Sequence, residues 1–329
     1  MTSTAPRGYF IRACSPGDLD AIEALIATCE TEEMGSPDPA MIEGFTTTWQ
    51  RSDFDCAHNA WLALDAGSQQ VLGYAHLQPV ARTDLQAFAS VHPHARGRGI
   101  GAALLARIEQ RATDQLAHFA PDDRIVIQQW ITAANKPAHR LLEQSGYQVV
   151  RHIWGMMTTL AAEPAAVIWP ANITVRTPVT DADLRAAHTA YREAFQDHWG
   201  YAEQSYENFS REMIEIDTFD PSLWFLAMDG DEVAGVVMGE TLIDRGWVNE
   251  LAVRRGWRGR GLGTALLRHM FGEFYRRGLH TVALGVDSQN LTGATRIYER
   301  AGMRVERQYD ICEKTLQPGT ECVQETRKS

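Results

Sequence analysis

A strand, a glycine-rich turn flanked by arginines, and an amphipathic helix follow one another twice in this chain. The later copy spans Gly246 to Thr264. Val248, Leu251 and Val253 favour extended backbone on the way in. Gly259, Gly261 and Gly263 then alternate with other residues, among Arg254, Arg255, Arg258 and Arg260. From Thr264 the spacing predicts a helix through Met270, Phe271, Phe274 and Tyr275, stopping at Gly278. The earlier copy is Phe88-Ala89-Ser90-Val91, then Arg96-Gly97-Arg98-Gly99-Ile100-Gly101-Ala102, then Leu104, Leu105 and Ile108. Strand, glycine loop and helix start together suit a phosphate. Glycine admits unusual φ/ψ and close approach, and the helix start presents unpaired N–H groups. Each charge-assisted bond contributes about 1.5–3 kcal/mol, against about 0.3–1 kcal/mol for the dipole, so the amides dominate.

Competing readings of the loops fail on context. Gly97-x-Gly99-x-x-Ala102 could pass for a dinucleotide fingerprint, but that motif follows the first strand of a βαβ unit. Here most of a domain precedes each loop, and Thr264 takes the third small position in the later copy. No Gly-Lys-Ser/Thr follows either loop, which excludes a Walker-type nucleotide site. Two solvated Gly/Arg corners would not explain repetition in matched context.

The pattern Arg-x-x-Gly-x-Gly/Ala between strand and helix resembles the acetyl-CoA pyrophosphate loop of the GNAT N-acetyltransferase superfamily. Arg96, Gly99 and Gly101 match it, as do Arg258, Gly261 and Gly263. The resemblance implies acetyl-CoA as cofactor. It assigns cofactor contacts to Leu251, Ala252, Val253, Arg258, Gly259, Arg260, Gly261, Leu262, Gly263, Thr264 and Asn290. In the N-terminal copy it assigns them to Val91, Arg96, Gly97, Arg98, Gly99, Ile100, Gly101, Ala102 and Asn135.

Other segments repeat as well. Ile11-Arg12 with Pro16-Gly17-Asp18 corresponds to Val175-Arg176 with Thr180 to Asp183, a strand and an Asp-rich helix start. The hairpin of Trp61–Asp65 and Val71–Ala75 corresponds to Phe225–Asp229 with Val233–Val237. The expected fold is α/β (α+β): two tandem GNAT domains, each a mixed, mainly antiparallel sheet flanked by helices. Domains are expected at 1–160 and 173–316, with a linker at 161–172 and a tail at 317–329. The net charge of −11 argues against a nucleic-acid partner. Five scattered cysteines without C-x-x-C spacing suit a reducing cytoplasm. No apolar run approaches membrane length, so no membrane partner is expected. His92-x-His94 lacks a ligand cluster around it, so no metal is expected. A monomer or homodimer acting on a small-molecule amine is the expected working form.

The two copies differ where chemistry would occur. Glu250 lies on the strand entering the later loop, and an amine protonated at pH 7 needs a base before it can attack. By resemblance Glu250 is that base; an ordinary solvated strand glutamate also fits. Tyr298, in Asn290-x-x-x-Ala294-x-x-x-Tyr298, resembles the family's tyrosine that protonates the departing thiolate. It equally fits a core stripe with Ala294, Ile297 and Ala301. Asn290 sits one residue farther from Tyr298 than the common spacing. Phe88 and Leu142 occupy the equivalent N-terminal positions, and neither transfers a proton. The N-terminal domain is therefore expected to be degenerate for chemistry while retaining a structural CoA. His198, Trp199 and Tyr201 are expected to line the acceptor site; an amphipathic helix end with a packed tryptophan fits as well. The implied function is N-acetylation of a small molecule's primary amine by direct transfer in the C-terminal domain. An antibiotic N-acetyltransferase and a non-catalytic acyl-CoA-binding regulator are the alternatives.

Overall fold

The computed structural model describes residues 8–51, 54–79, 84–196, 201, 203–216, 218–290 and 293–319. The first half contains β1 (Tyr9–Ala13), α1 (Leu19–Met34), α2 (Pro39–Gln50), α3 (Cys56–Asn59), β2 (Ala60–Asp65) and β3 (Val71–Pro79). It continues with β4 (Asp84–Val91), α4 (Ile100–Gln115), β5 (Ile125–Thr132), α5 (Lys136–Gln144) and β6 (Gln148–Thr159). The second half repeats the order with β7 (Ile173–Arg176), α6 (Asp181–Phe195), α7 (Tyr206–Met213), β8 (Trp224–Asp229) and β9 (Glu232–Leu242). It ends with β10 (Arg245–Val253), α8 (Leu262–Arg276), β11 (Thr281–Asp287), α9 (Ala294–Arg300) and β12 (Arg304–Gln317).

These elements form two compact units, Met1–Arg151 with Tyr309–Ser329, and His152–Gln308. The division differs from contiguous domains at 1–160 and 173–316. After Arg151, β6 pairs antiparallel with β11 from Ile153 to Thr159, inside the second unit. From Tyr309, β12 pairs antiparallel with β5 as far as Gln317, so Gln317 ends a strand rather than starting a tail. Each half's last strand is thus built into the other half's unit. Apolar patterning finds such a strand but does not say which sheet takes it. No helix among the described residues is long and apolar enough to cross a membrane.

In the first unit β1, β2, β3 and β4 pair antiparallel in turn, β4 meets β5 in parallel, and β12 lies on the far side of β5. In the second, β7, β8, β9 and β10 pair antiparallel, β10 meets β11 in parallel, and β6 closes the far side. Both faces of each sheet are covered, which explains why β2 and β8 read as continuous apolar runs instead of alternating. In the second unit Leu262, Leu266, Met270 and Phe274 of α8 pack on Phe225, Ala227 and Val237. Ala187, Ala190 and Ala194 of α6, with Phe209 of α7, pack on Trp224, Leu226, Val236 and Met238.

Two features of β10 set the geometry at its C-terminal end. Its parallel pairing with β11 is confined to Gly246 and Trp247, after which the strands diverge. Its register against β9 slips between Val248 and Glu250, leaving Asn249 as a bulge. Gly246 holds the paired end together, because the ring of Phe274 lies directly on it. A Cβ there would collide with Cγ and both Cδ atoms of that ring. Gly246→Ala is therefore expected to destabilise the protein by about 1–3 kcal/mol through overpacking, read from denaturant midpoints. An unchanged midpoint would contradict this packing.

Candidate active site

The glycine loops have the same backbone in both units. A short 3-10 turn leads in, at Pro93–Ala95 and at Arg255–Trp257. Gly97 and Gly99 take φ of 78° and 81°, and Gly259 and Gly261 take 74° and 82°. Gly99 and Gly261 then cap α4 and α8, which begins at Leu262, two residues before the predicted start. A Cβ at Gly259 or Gly261 would meet nothing within 4 Å, so the turn's dihedrals, and not crowding, require glycine. Arg96 and Arg258 act as matching clamps: Nε donates to Val91 O at 3.3 Å and to Val253 O at 3.0 Å. Arg258 also donates through Nη2 to Ala194 O at 2.8 Å, tying the loop to α6. Arg254 donates to Glu193 at 2.6 Å, and Trp257 Nε1 to Asp229 at 2.9 Å. These side chains fix the loop, leaving its glycine amides as the groups suited to an anion.

A cavity of about 290 Å³ adjoins the second loop. Its walls include Leu251, Ala252, Val253, Arg258, Gly259, Gly261, Leu262, Gly263 and Thr264, all assigned to the cofactor from sequence. Phe195 of α6 and Ala294, Ile297 and Tyr298 of α9 also line it. Because β10 and β11 have parted by this point, the cavity opens beside the end of β10. Arg260 is exposed on the loop, and Asn290 is half-buried in the turn after β11.

The bulge decides where Glu250 points. Val248, Leu251 and Val253 all pack with α8 and α9, whereas Ala252 packs with α6. With Asn249 as the extra residue, Glu250 shares the α6 face with Ala252. Glu250 is half-buried along its length, with protein crowded around the carboxyl. Desolvation pushes its pKa from an ordinary 4.5 up to about 8. Tyr298 is 7% exposed; burial, and then the nearby Glu250 charge, raise its pKa well above the ordinary value. The core stripe and the site are therefore compatible for Tyr298: the same residue packs in the core and lines the cavity.

Tyr191 of α6 is a site neighbour that motif reading missed. Burial raises its pKa first, followed by the charges of Glu250 and Glu212 and by Tyr201. Its ring lies 4.6 Å from that of Phe195. The only sequence signal was that aromatic pair one turn apart, just before the segment assigned to the acceptor. Tyr201 is half-buried and close enough to act on Tyr191; His198 and Trp199 lie outside the described residues.

In the first unit the register between β3 and β4 runs without a slip, and Phe88 stands opposite His76. Their rings stack with centroids 5.7 Å apart. Tyr74 Oη and His76 Nδ1 are 2.9 Å apart, with Phe45, Trp49 and Phe54 around them. Burial pushes His76 down to about 3, so it stays neutral in its aromatic setting. Leu142 is buried in the core. Asn135 caps α5 and directs its amide to Glu33.

Paired units with splayed sheets and matching glycine loops define a duplicated acyltransferase architecture. The acetyltransferase (GNAT) family profile matches residues 184–303, and an acetyltransferase (GNAT) domain profile matches residues 57–149. The chain belongs to the GNAT acetyltransferase family as a tandem member and is an acetyltransferase, of class EC 2.3.1. Among curated relatives, the mycothiol acetyltransferase of Streptomyces scabiei is 30% identical over 73% of this chain and 75% of its own length. That of Streptomyces avermitilis is 30% identical over 89% of this chain and 90% of its own. Among solved structures, a GCN5-related N-acetyltransferase from Sphaerobacter thermophilus superposes with a TM-score of 0.84 at 35% identity. That match covers 97% of this chain and 99% of the other.

The raised Glu250 pKa has a stability consequence of definite sign. The folded state holds this proton more tightly than the unfolded one, so the contribution is lost as pH rises from about 4.5 to about 8. Glu250→Gln cannot ionise. It is expected to match wild type near pH 5 and to exceed it at pH 9 by on the order of 1–3 kcal/mol. Urea denaturation at the two pH values measures this; a constant difference would contradict the buried environment.

Proposed function

We propose that the second unit transfers an acetyl group from acetyl-CoA to a small molecule's primary amine by direct attack. The observation that carries this reading is one cavity bounded by the glycine loop, the diverging end of β10 and Tyr298, with Glu250 on the same strand. The lining suits part of the cofactor in its chemistry: glycine amides for an anion and an apolar wall for an extended arm. Amides of Gly259 to Gly263 would hold the pyrophosphate, and the main chain of Leu251 to Val253 would line the pantetheine arm. Acetyl-CoA supplies the activated acetyl thioester.

The chain's own groups do the rest. Glu250, ionised near and above pH 8, takes the proton that the attacking amine must lose. Main-chain N–H groups at the end of β10, unpaired with β11, are suited to stabilise charge on the acetyl oxygen. Tyr298, held protonated by burial, gives a proton to the departing thiolate. Tyr191 and Tyr201 would meet the acceptor from the α6 side, and His198 and Trp199 are proposed as further acceptor residues. The relatives' name makes a mycothiol-related amine the first acceptor to test.

Thiol release from acetyl-CoA, assayed with a panel of primary amines, tests the reading. Glu250→Gln is expected to lower kcat by about 10²–10⁴ at neutral pH with CoA affinity near wild type. Tyr298→Phe is expected to lower the rate while the melting temperature stays within about 2 °C, since it keeps the buried ring. Full activity in Glu250→Gln would remove the base assignment. No thiol release with any amine, alongside tight CoA binding, would favour a non-catalytic binding protein.

A further inference from the structure

The first unit contains the same loop and a similar divergence of strands, but something already spans the gap. β4 and β5 are paired only from Asp84 to Ala87 against Val126 to Gln129. Beyond that, the β4 bank ends at Val91, to which Arg96 is clamped. The β5 bank ends at Thr132 and leads to Asn135, the cap of α5. From the last turn of α1, Glu33 reaches both banks with one carboxylate. Its Oε1 accepts from Arg96 Nη2 at 2.6 Å and from Asn135 Nδ2 at 2.6 Å. Its Oε2 accepts from Thr132 Oγ1 at 2.6 Å. The side chain is only 11% exposed, so these bonds form in a largely desolvated place, where a charge needs its partners.

In the second unit Arg258 gives the equivalent nitrogen to a main-chain carbonyl, and a cavity lies beside the loop. On the α1 and α2 side of the first unit, Phe88, Trp49 and Phe54 fill space with aromatic rings around His76.

We propose that the chain itself occupies its N-terminal cofactor crevice. Glu33 is an internal anion that bridges β4 and β5 where the arm of CoA would pass, in place of the second CoA that the loop's sequence suggests. Unit 1 is then a closed structural domain, and the chain takes up one CoA. The count of one rests on the cofactor reading of the second unit; the closure of the first does not.

Calorimetric titration of the full chain with CoA tests this, in wild type, Gly261→Val and Glu33→Ala. Wild type is expected to bind about one equivalent and Gly261→Val none, because a branched side chain at that positive φ distorts the remaining loop. Glu33→Ala is expected to melt about 5 °C or more below wild type, since three donors lose their acceptor. It is also expected to gain a second, weaker equivalent. If it does not fold, Glu33→Gln, which keeps the acceptor oxygen and removes the charge, is expected to show a smaller loss of the same kind. Two equivalents in wild type, or one remaining in Gly261→Val, would overturn the closure. So would a Glu33→Ala melting temperature equal to wild type. No CoA binding by wild type would leave the closure standing and overturn the cofactor reading of the second unit.

Discussion

One extra residue in β10 decides which face of the sheet Glu250 takes. The slip at Asn249 turns Glu250 onto the α6 face while leaving Leu251 and Val253 packed under α8 and α9. Strict alternation from Val248 could not satisfy both requirements at once. The bulge also falls just after pairing with β11 stops, and the Glu250 charge is near enough to act on Tyr298, which lines the cavity. Asn249 itself is not idle: its amide helps hold the half-buried Glu240 carboxylate, which also accepts from Thr218 at 2.9 Å. Thus the residue that creates the kink is secured on its own account, while desolvation sets the direction of the Glu250 shift.

Comparison of the two units shows what a duplicated fold keeps and what it changes. The loops agree in φ to within a few degrees, in the 3-10 turn before them and in the arginine clamp. Those features stabilise the strand-to-helix connection whether or not a ligand is present, so they persist in both. The interior around each splay has diverged. The second unit places a carboxyl, a phenol and a cavity there; the first places Phe88, a neutral His76, an aromatic cluster and the Glu33 bridge. Desolvation acts on both interiors. It raises Glu250 toward a useful pKa in one and keeps His76 uncharged in the other.

Much of this could be read from the residues, and the reasons for the remainder are physical. Glycine positions encode positive φ directly, so the loops, their caps and the repeat were legible. Glu250 and Tyr298 were legible as candidates because each sits at a fixed offset from a loop or helix that sequence locates. The bulge was not, since a one-residue slip leaves the apolar pattern of Val248, Leu251 and Val253 looking like an ordinary strand. The exchange of final strands was also hidden: β6 and β12 have the composition of any closing strand, and pairing partners follow from the tertiary fold. Glu33 looked like one of several glutamates at a helix end, and its link to Arg96 spans 63 positions. Tyr191 belongs to no motif and precedes by one turn the segment that the resemblance assigns to the acceptor.

The bulge and its packing bring Glu250 to a pKa suited to taking a proton near neutral pH. Titration of its carboxyl, followed by ¹³C NMR on glutamate-labelled protein and assigned with Glu250→Gln, measures this in the free protein. A midpoint near 8 is expected. A midpoint near 4.5, the ordinary glutamate value, would contradict it.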